Sequence, residues 1–218
     1  MTQLYVAVII DLVDSRQLPS RAAMQPEIER SFAVVNERVA YQQPIEATIG
    51  DEFQALYSTT AGALEATMLA RLGLPEGVDC RFGLGRGEAV TIGAGAAGIL
   101  QDGLAWWLAR EAIDEAHRRQ DSRTPSARSW YRSDPSADAP GDSVSESLIN
   151  SYLIMRDHVI GSMTERSRRI TFGSMTGRSQ QELADHEGIS QSAVSQSLRR
   201  SGGASLIATL EVLKLGCQ

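Results

Sequence analysis

A chain of 218 residues, 42% of them hydrophobic, holds material for one large core or two smaller ones. Its formal net charge of −6 excludes a uniformly basic nucleic-acid coat, but the average hides a division: residues 1–150 carry 13 basic and 21 acidic side chains, residues 151–218 carry 8 and 6. Contact with nucleic-acid phosphate is therefore expected in the C-terminal third. Cys80 and Cys217 lie far apart without metal-ligand spacing, which argues against a disulfide framework. No basic leader precedes the first apolar run, and that run is far too short to span a bilayer, so a cytoplasmic protein without membrane contact is expected.

The run Leu4–Ile10 is short, rich in β-branched residues and closed by Asp11, with Asp14 three residues later; it reads as a strand. A polar loop with Pro19 leads to a helix over 22–40, whose Ile28, Phe32, Val35 and Val39 share one face. Pro44 precedes a strand over 45–49, and residues 53–57 alternate again, so Gly50-Asp51 sits at a hairpin tip. A helix over 60–72, a turn at 75–77 and a glycine-containing strand over 79–88 come next. Residues 91–98 read as strand end and loop, and 103–117 as a helix that offers Leu104, Trp107, Leu108 and Ala112 for packing. This order predicts an α+β fold, the ferredoxin-like split βαβ antiparallel sheet, over residues 1–117.

Residues 118–147 lose periodicity and carry three prolines, which predicts a flexible loop or linker. A helical domain over 148–218 follows. It opens with a stripe of Leu148, Tyr152, Met155, Val159 and Met163, suited either to docking on the first domain or to pairing in a homodimer.

If the two acidic strand ends are neighbours, Asp11 and Asp51 converge. Two hard oxygen donors there would hold Mg²⁺ or Mn²⁺, with water and the phosphates of a nucleotide completing the shell. Asp14 reads as a turn residue. Glu52, next to Asp51 on an alternating strand, is expected on the opposite face. Gly85 and Gly87 offer points where backbone can approach a ligand. Arg110 is placed to meet phosphate or to form an ion pair, and Trp106 and Trp107 are expected in the core, with base stacking as the alternative. No catalytic triad, histidine ligand spacing or Walker-type loop is present in the sequence.

Residues 179–200 read as a helix-turn-helix. Ser179 and Glu182 make a capping box, Ala184 lets helices cross closely, Gly188 supplies the turn, and Ile189, Val194 and Leu198 bury the second helix. That leaves Gln191, Ser192, Ser195, Gln196 and Arg199 outward, side chains able to bond base edges in the major groove. Arg199, Arg200 and Arg178 would meet phosphate. A closing helix around Ile207–Leu213 offers a further packing or pairing face.

At Ile10–Arg16, Gly50–Gln54, Asp102-Gly103, Ala109–Ala112 and Ala193–Gln196 the chain resembles the SatD family of bacterial proteins. Residues 1–117 also resemble class III nucleotidyl cyclases and, more distantly, the GGDEF diguanylate cyclases. Asp11–Ser15 is similar to the cyclases' first metal-binding strand, Gly50–Phe53 to their second metal aspartate, and Phe82–Glu88 to their later glycine-containing strand. The resemblance implies two metal aspartates and a bound nucleotide. On the cyclase helix that carries a transition-state Asn and Arg, Arg110 matches and Trp106 stands at the Asn position. The expectation is a DNA-binding transcriptional regulator whose cyclase-like domain senses a metal-bound nucleotide or another phosphorylated small molecule. The alternatives are an active nucleotidyl cyclase or nucleotidyltransferase, with the helix-turn-helix as a localising or dimerising module, and a partner protein that binds no DNA.

Overall fold

The middle strand, β1 (Leu4–Leu12), is the element around which the rest is arranged. Its even-numbered residues Val6, Val8, Ile10 and Leu12 face one layer of helices, and Ala7 and Ile9 face another; all are at most 2% exposed. A strand buried on both faces has no polar positions until it leaves the sheet, hence the unbroken apolar run ending at Asp11. The computed structural model describes residues 3–13, 21–48, 51–95, 98–122, 124–134 and 143–215.

After β1 come α1 (Arg21–Arg38), β2 (Gln43–Ala47), β3 (Glu52–Tyr57), α2 (Thr60–Gly73) and β4 (Cys80–Glu88). β2, β3, β1 and β4 lie side by side in that order with antiparallel neighbours, an order compatible with the ferredoxin-like arrangement. Ile28, Phe32 and Val35 of α1 are at most 1% exposed against this sheet, each contributing about 1.5–3 kcal/mol of burial. Asn36 braces β2, bonding both the N–H and the C=O of Ile45.

Residues 90–102, expected as strand end and loop, form a separate antiparallel pair, β5 (Val90–Gly95) and β6 (Gly98–Asp102). α3 (Leu104–Gln120) then returns across the open face of the sheet. Ala105, Ala109, Ala112 and Ala116 line its inner side, fully buried. Their small size matters because β4 offers glycines there. A Cβ at Gly85 would fall 2.2 Å from both the carbonyl oxygen of Ala105 and the amide nitrogen of Ala109. Helix and strand thus meet backbone to backbone.

The reading of 118–147 as a flexible linker is corrected in three places, the last being the start of the next helix at Ser143. α3 continues to Gln120, and β7 (Ser129–Ser133) joins the sheet as its fifth strand, parallel to β4. A lone edge strand of this composition holds because side chains of α4 (Ser143–Gly161) cover its outer edge. Asn150 accepts from the Tyr131 N–H at 2.8 Å and donates to the Tyr131 carbonyl, and Glu146 accepts from the Ser133 N–H at 3.1 Å. Residues 135–142 of the expected linker lie outside the described residues.

α4 docks on the first domain through part of the expected stripe: Tyr152 packs against the main core, and Val159 and Met163 pack with Met68 and Leu72 of α2. Leu148 and Met155 are 65% and 63% exposed; the buried side is Asn150, Leu153, Arg156, Asp157 and Ile160. The fully buried Arg156 guanidinium donates to the Leu64 carbonyl, Thr67 Oγ1, Ser129 Oγ and Asp157 Oδ1. Asp157 also faces Arg71 at 3.4 Å and accepts from the Arg128 N–H. Periodicity of apolar residues misses Arg156 and Asp157 because these two are held by charge and hydrogen bonds.

The chain closes with α5 (Glu165–Met175), α6 (Gln180–Glu187), α7 (Gln191–Arg200) and α8 (Gly203–Leu215). Ile170, Leu183, Ala184, Val194 and Leu198 make one small core, while Leu206 and Leu210 of α8 pack on Met68 and Leu72 of α2. The C-terminal helices therefore rest directly on the first domain.

Candidate functional site

Asp11 closes β1 between two charged neighbours, Glu52 on β3 and Arg81 on β4. Direct cross-strand partners share a face, so all three lie on the α3 side of the sheet. Arg81 donates through Nη1 to Asp11 Oδ2 at 3.2 Å and through Nε to Gln120 of α3 at 2.8 Å. Glu52 accepts from Gln54 at 2.9 Å and pairs with the half-exposed Arg110 of α3 at 2.7 Å. Burial first, then the negative charge of Asp51, push the Asp11 carboxyl above the ordinary 3.8 of an aspartate; Arg81 opposes them and does not fully offset them. Asp51, in the turn before β3, is thus brought into the electrostatic range of Asp11.

Glu52 corrects the sequence reading. It was expected to face away from the acidic pair, but Asp51 belongs to the turn rather than the ladder, so strand alternation does not run through it. Only the register of β1 against β3 reveals that Glu52 joins Asp11. Asp14 and Gly50 lie outside the described residues. Among the described residues no group of three or more His, Cys, Asp or Glu is arranged to hold a metal. The donor chemistry of Asp11 and Asp51 nevertheless suits a hard divalent cation, because a cation between them would relieve the repulsion that raises the Asp11 carboxyl.

Of the other expected site residues, Gly85 and Gly87 face α3, and helix backbone fills the space a ligand would need. Arg110 stands beside the acidic edge in its ion pair with Glu52. Trp106 is partly buried against the small core of Ala7, Ile9 and Ala105. Trp107 is not core: it is 67% exposed, with its indole N–H donating to Asp102 Oδ1 at 3.1 Å.

In the C-terminal helices, both halves of the capping box are present between Ser179 and Glu182. Gly188 ends α6 in the left-handed region at φ 65°, which a side chain resists, and the Ser190 hydroxyl accepts from the Ala193 N–H to start α7. Val194 and Leu198 turn inward. Gln191, Ser192, Gln196, Arg199 and Arg200 are exposed, Ser195 is half-buried, and Arg178 is exposed at the start of the α6 turn. Gln191 bonds Gln181 of α6, and Arg199 donates to Ser195 Oγ at 3.1 Å. Nearby, Glu187 is held below the usual glutamate range chiefly by its bond from Arg169.

These features define an α+β protein with an acidic sheet edge and a four-helix C-terminal part whose α7 presents a polar outer face. No helix among the described residues is long and apolar enough to cross a membrane. The model of the SatD family matches residues 5–209, and the chain belongs to that family. Comparison with curated proteins gives no match.

Proposed function

We propose that this SatD-family chain is a DNA-binding transcriptional regulator, with α6 and α7 as its helix-turn-helix and α7 as the reading helix. The observation that carries the reading is the division of α7 into an inner face of Val194 and Leu198 and an exposed face of Gln191, Ser192, Gln196 and Arg199. Amides bond adenine edges and arginine bonds guanine edges, while Arg178 and Arg200 would set register on phosphate. The protein acts as a cytoplasmic homodimer, its two reading helices about 34 Å apart on DNA. Selection of bound sequences from random duplex tests this; no enrichment together with no salt-dependent binding would remove it.

The N-terminal sheet senses a metal-bound nucleotide or another phosphorylated ligand at Asp11 and Asp51. Support comes from the pressure of Asp51 on the Asp11 carboxyl and from Arg110 one ion pair away. Such a ligand regulates only by binding the DNA-competent and incompetent arrangements unequally. α2 is placed to transmit the difference, since its Met68 and Leu72 pack against α8.

The same two aspartates support a second reading, a nucleotidyl cyclase or transferase. Incubation with Mn²⁺ and ATP or GTP, followed for cyclic product and pyrophosphate, separates the two. Turnover that vanishes in Asp51→Ala favours the enzyme.

A further inference from the structure

Beside the acidic edge, on the α3 side of the sheet, lies an open groove of about 270 Å³ lined by Ile9, Gln54, Trp106, Trp107 and Arg110. We infer that this groove is a nucleobase subsite in which a purine ring stacks on the indole of Trp107; the inference rests on the nucleotide reading of Asp11 and Asp51 and specifies where the base goes.

Three observations carry it. First, Trp107 is 67% exposed yet tethered by its N–H to Asp102 Oδ1, which also accepts from the Gly103 N–H at 2.7 Å. An exposed indole already engaged through its N–H offers a stacking platform, because the bond favours one orientation before a ring settles on it. Second, Trp106 lines the same groove with its Nε1–H buried and without an acceptor among the described residues. Buried donors are costly when unmet, and a small turn of this indole toward a ring nitrogen or carbonyl of a base would satisfy it. Third, the groove adjoins the acidic pair through covalent and ladder neighbours. Ile9 and Gln54 are cross-strand partners one pleat repeat, roughly 7 Å, from Asp11 and Glu52. Gln54 and Arg110 both bond Glu52.

The groove, open to solvent and about 270 Å³, has room for a base, with ribose and phosphates extending toward Asp11 and Asp51. The larger π-face of a purine covers more of Trp107 than a pyrimidine does, so adenine and guanine bind ahead of cytosine and uracil.

The test uses the full chain and reads binding calorimetrically with adenosine, guanosine, cytidine, and ribose 5-triphosphate, the last with and without Mn²⁺. The purine nucleosides should bind without metal and more tightly than cytidine. Trp107→Ala should weaken them roughly tenfold, the weight of one base–aromatic stack, and Trp107→Phe should restore part of that. Asp51→Asn should leave nucleoside binding unchanged while weakening the metal-dependent triphosphate. Equal affinity of wild type and Trp107→Ala for adenosine and guanosine overturns the subsite, as does cytidine binding as tightly as the purines. If ribose 5-triphosphate binds with Mn²⁺ and Trp107→Ala changes no nucleoside affinity, the metal reading stands and the base subsite alone fails. If nucleosides bind through Trp107 and Mn²⁺ adds nothing to the triphosphate, the base subsite stands and the metal reading fails. A self-association lost in Trp107→Ala, with no nucleoside bound by either protein, would make the exposed indole an interface between copies and overturn the inference.

Discussion

Asp11 stands directly across the β1–β3 ladder from Glu52, and the two carboxylates are flanked by Arg81 on one side and Arg110 on the other. Burial and Asp51 raise the Asp11 carboxyl despite Arg81.

A divalent cation should act on this raised group. Mn²⁺ is expected to increase the melting temperature of the wild type and not of Asp51→Asn, and its affinity should climb as pH rises through the elevated Asp11 value, because only the ionised carboxyl ligates. The sign for the metal-free protein is opposite. A carboxyl raised in the folded state favours folding while protonated, and that contribution is lost as pH rises through the folded value. Asp11→Asn, which keeps an acceptor for Arg81, should therefore melt no lower than wild type at pH 7 without metal. A clear loss in differential scanning calorimetry would show that the ion pair with Arg81 outweighs burial and repulsion.

Gly85→Ala should cost at least about 3 kcal/mol in urea unfolding, since its Cβ would meet the backbone of Ala105 and Ala109 at 2.2 Å and backbone cannot step aside as a side-chain tip can. Gly161→Ala is the control: its Cβ meets only an Arg71 nitrogen at 3.5 Å, an ordinary contact, and should be tolerated.

Asp157→Ala should destabilise by about 3–5 kcal/mol, because it strands the buried guanidinium of Arg156 and removes the acceptor of the Arg128 N–H. A loss under about 1 kcal/mol in the same titration would mean that Ser129, Thr67 and the Leu64 carbonyl suffice for Arg156. Asp79 contributes an acid limb to the same region. Desolvation would raise its carboxyl, but Arg71 and Arg128 outweigh that and hold it below 3.8. The stability it supplies is present above that value and lost as pH falls through the lower folded one.

On α7, Arg200→Ala should weaken DNA binding to all sequences alike and shrink the slope of log affinity against log salt by about 1. Gln196→Ala should instead lose about 1–3 kcal/mol of discrimination at one base pair and leave the slope unchanged. Gel-shift titrations across a salt series distinguish the two. Equal effects of both variants on every sequence would deny α7 its reading role.

Alternation and helical spacing, which depend only on neighbours in the chain, made β1, β3, α1 and α2 readable together with the core residues Ile28, Phe32, Val35 and Val39. The turn chemistry of Ser179, Glu182, Gly188 and Ser190 was readable for the same reason. β7 was not, because Trp130 and Tyr131 alone make too short a strand signal among polar neighbours, and the strand holds through Asn150, Glu146 and the free edge of β4. On α4 apolar periodicity found Tyr152, Val159 and Met163 but not Arg156 and Asp157, which are buried through charge and hydrogen bonds. Trp107 is a different failure: hydrophobicity predicts burial, and an indole anchored by Asp102 stays in water.

The sequence by itself determined β1 to β4, α1 to α3, the α6–α7 turn and the position of Asp11 and Asp51 at strand termini, since local periodicity and turn formers act over a few residues. Tertiary structure alone decided that Glu52 faces Asp11, that α3 closes over the glycines of β4, and that Trp107 stands open beside them. Those outcomes depend on strand register and helix docking, in which the contacts join residues far apart in the chain and a shift of one residue would reverse every face.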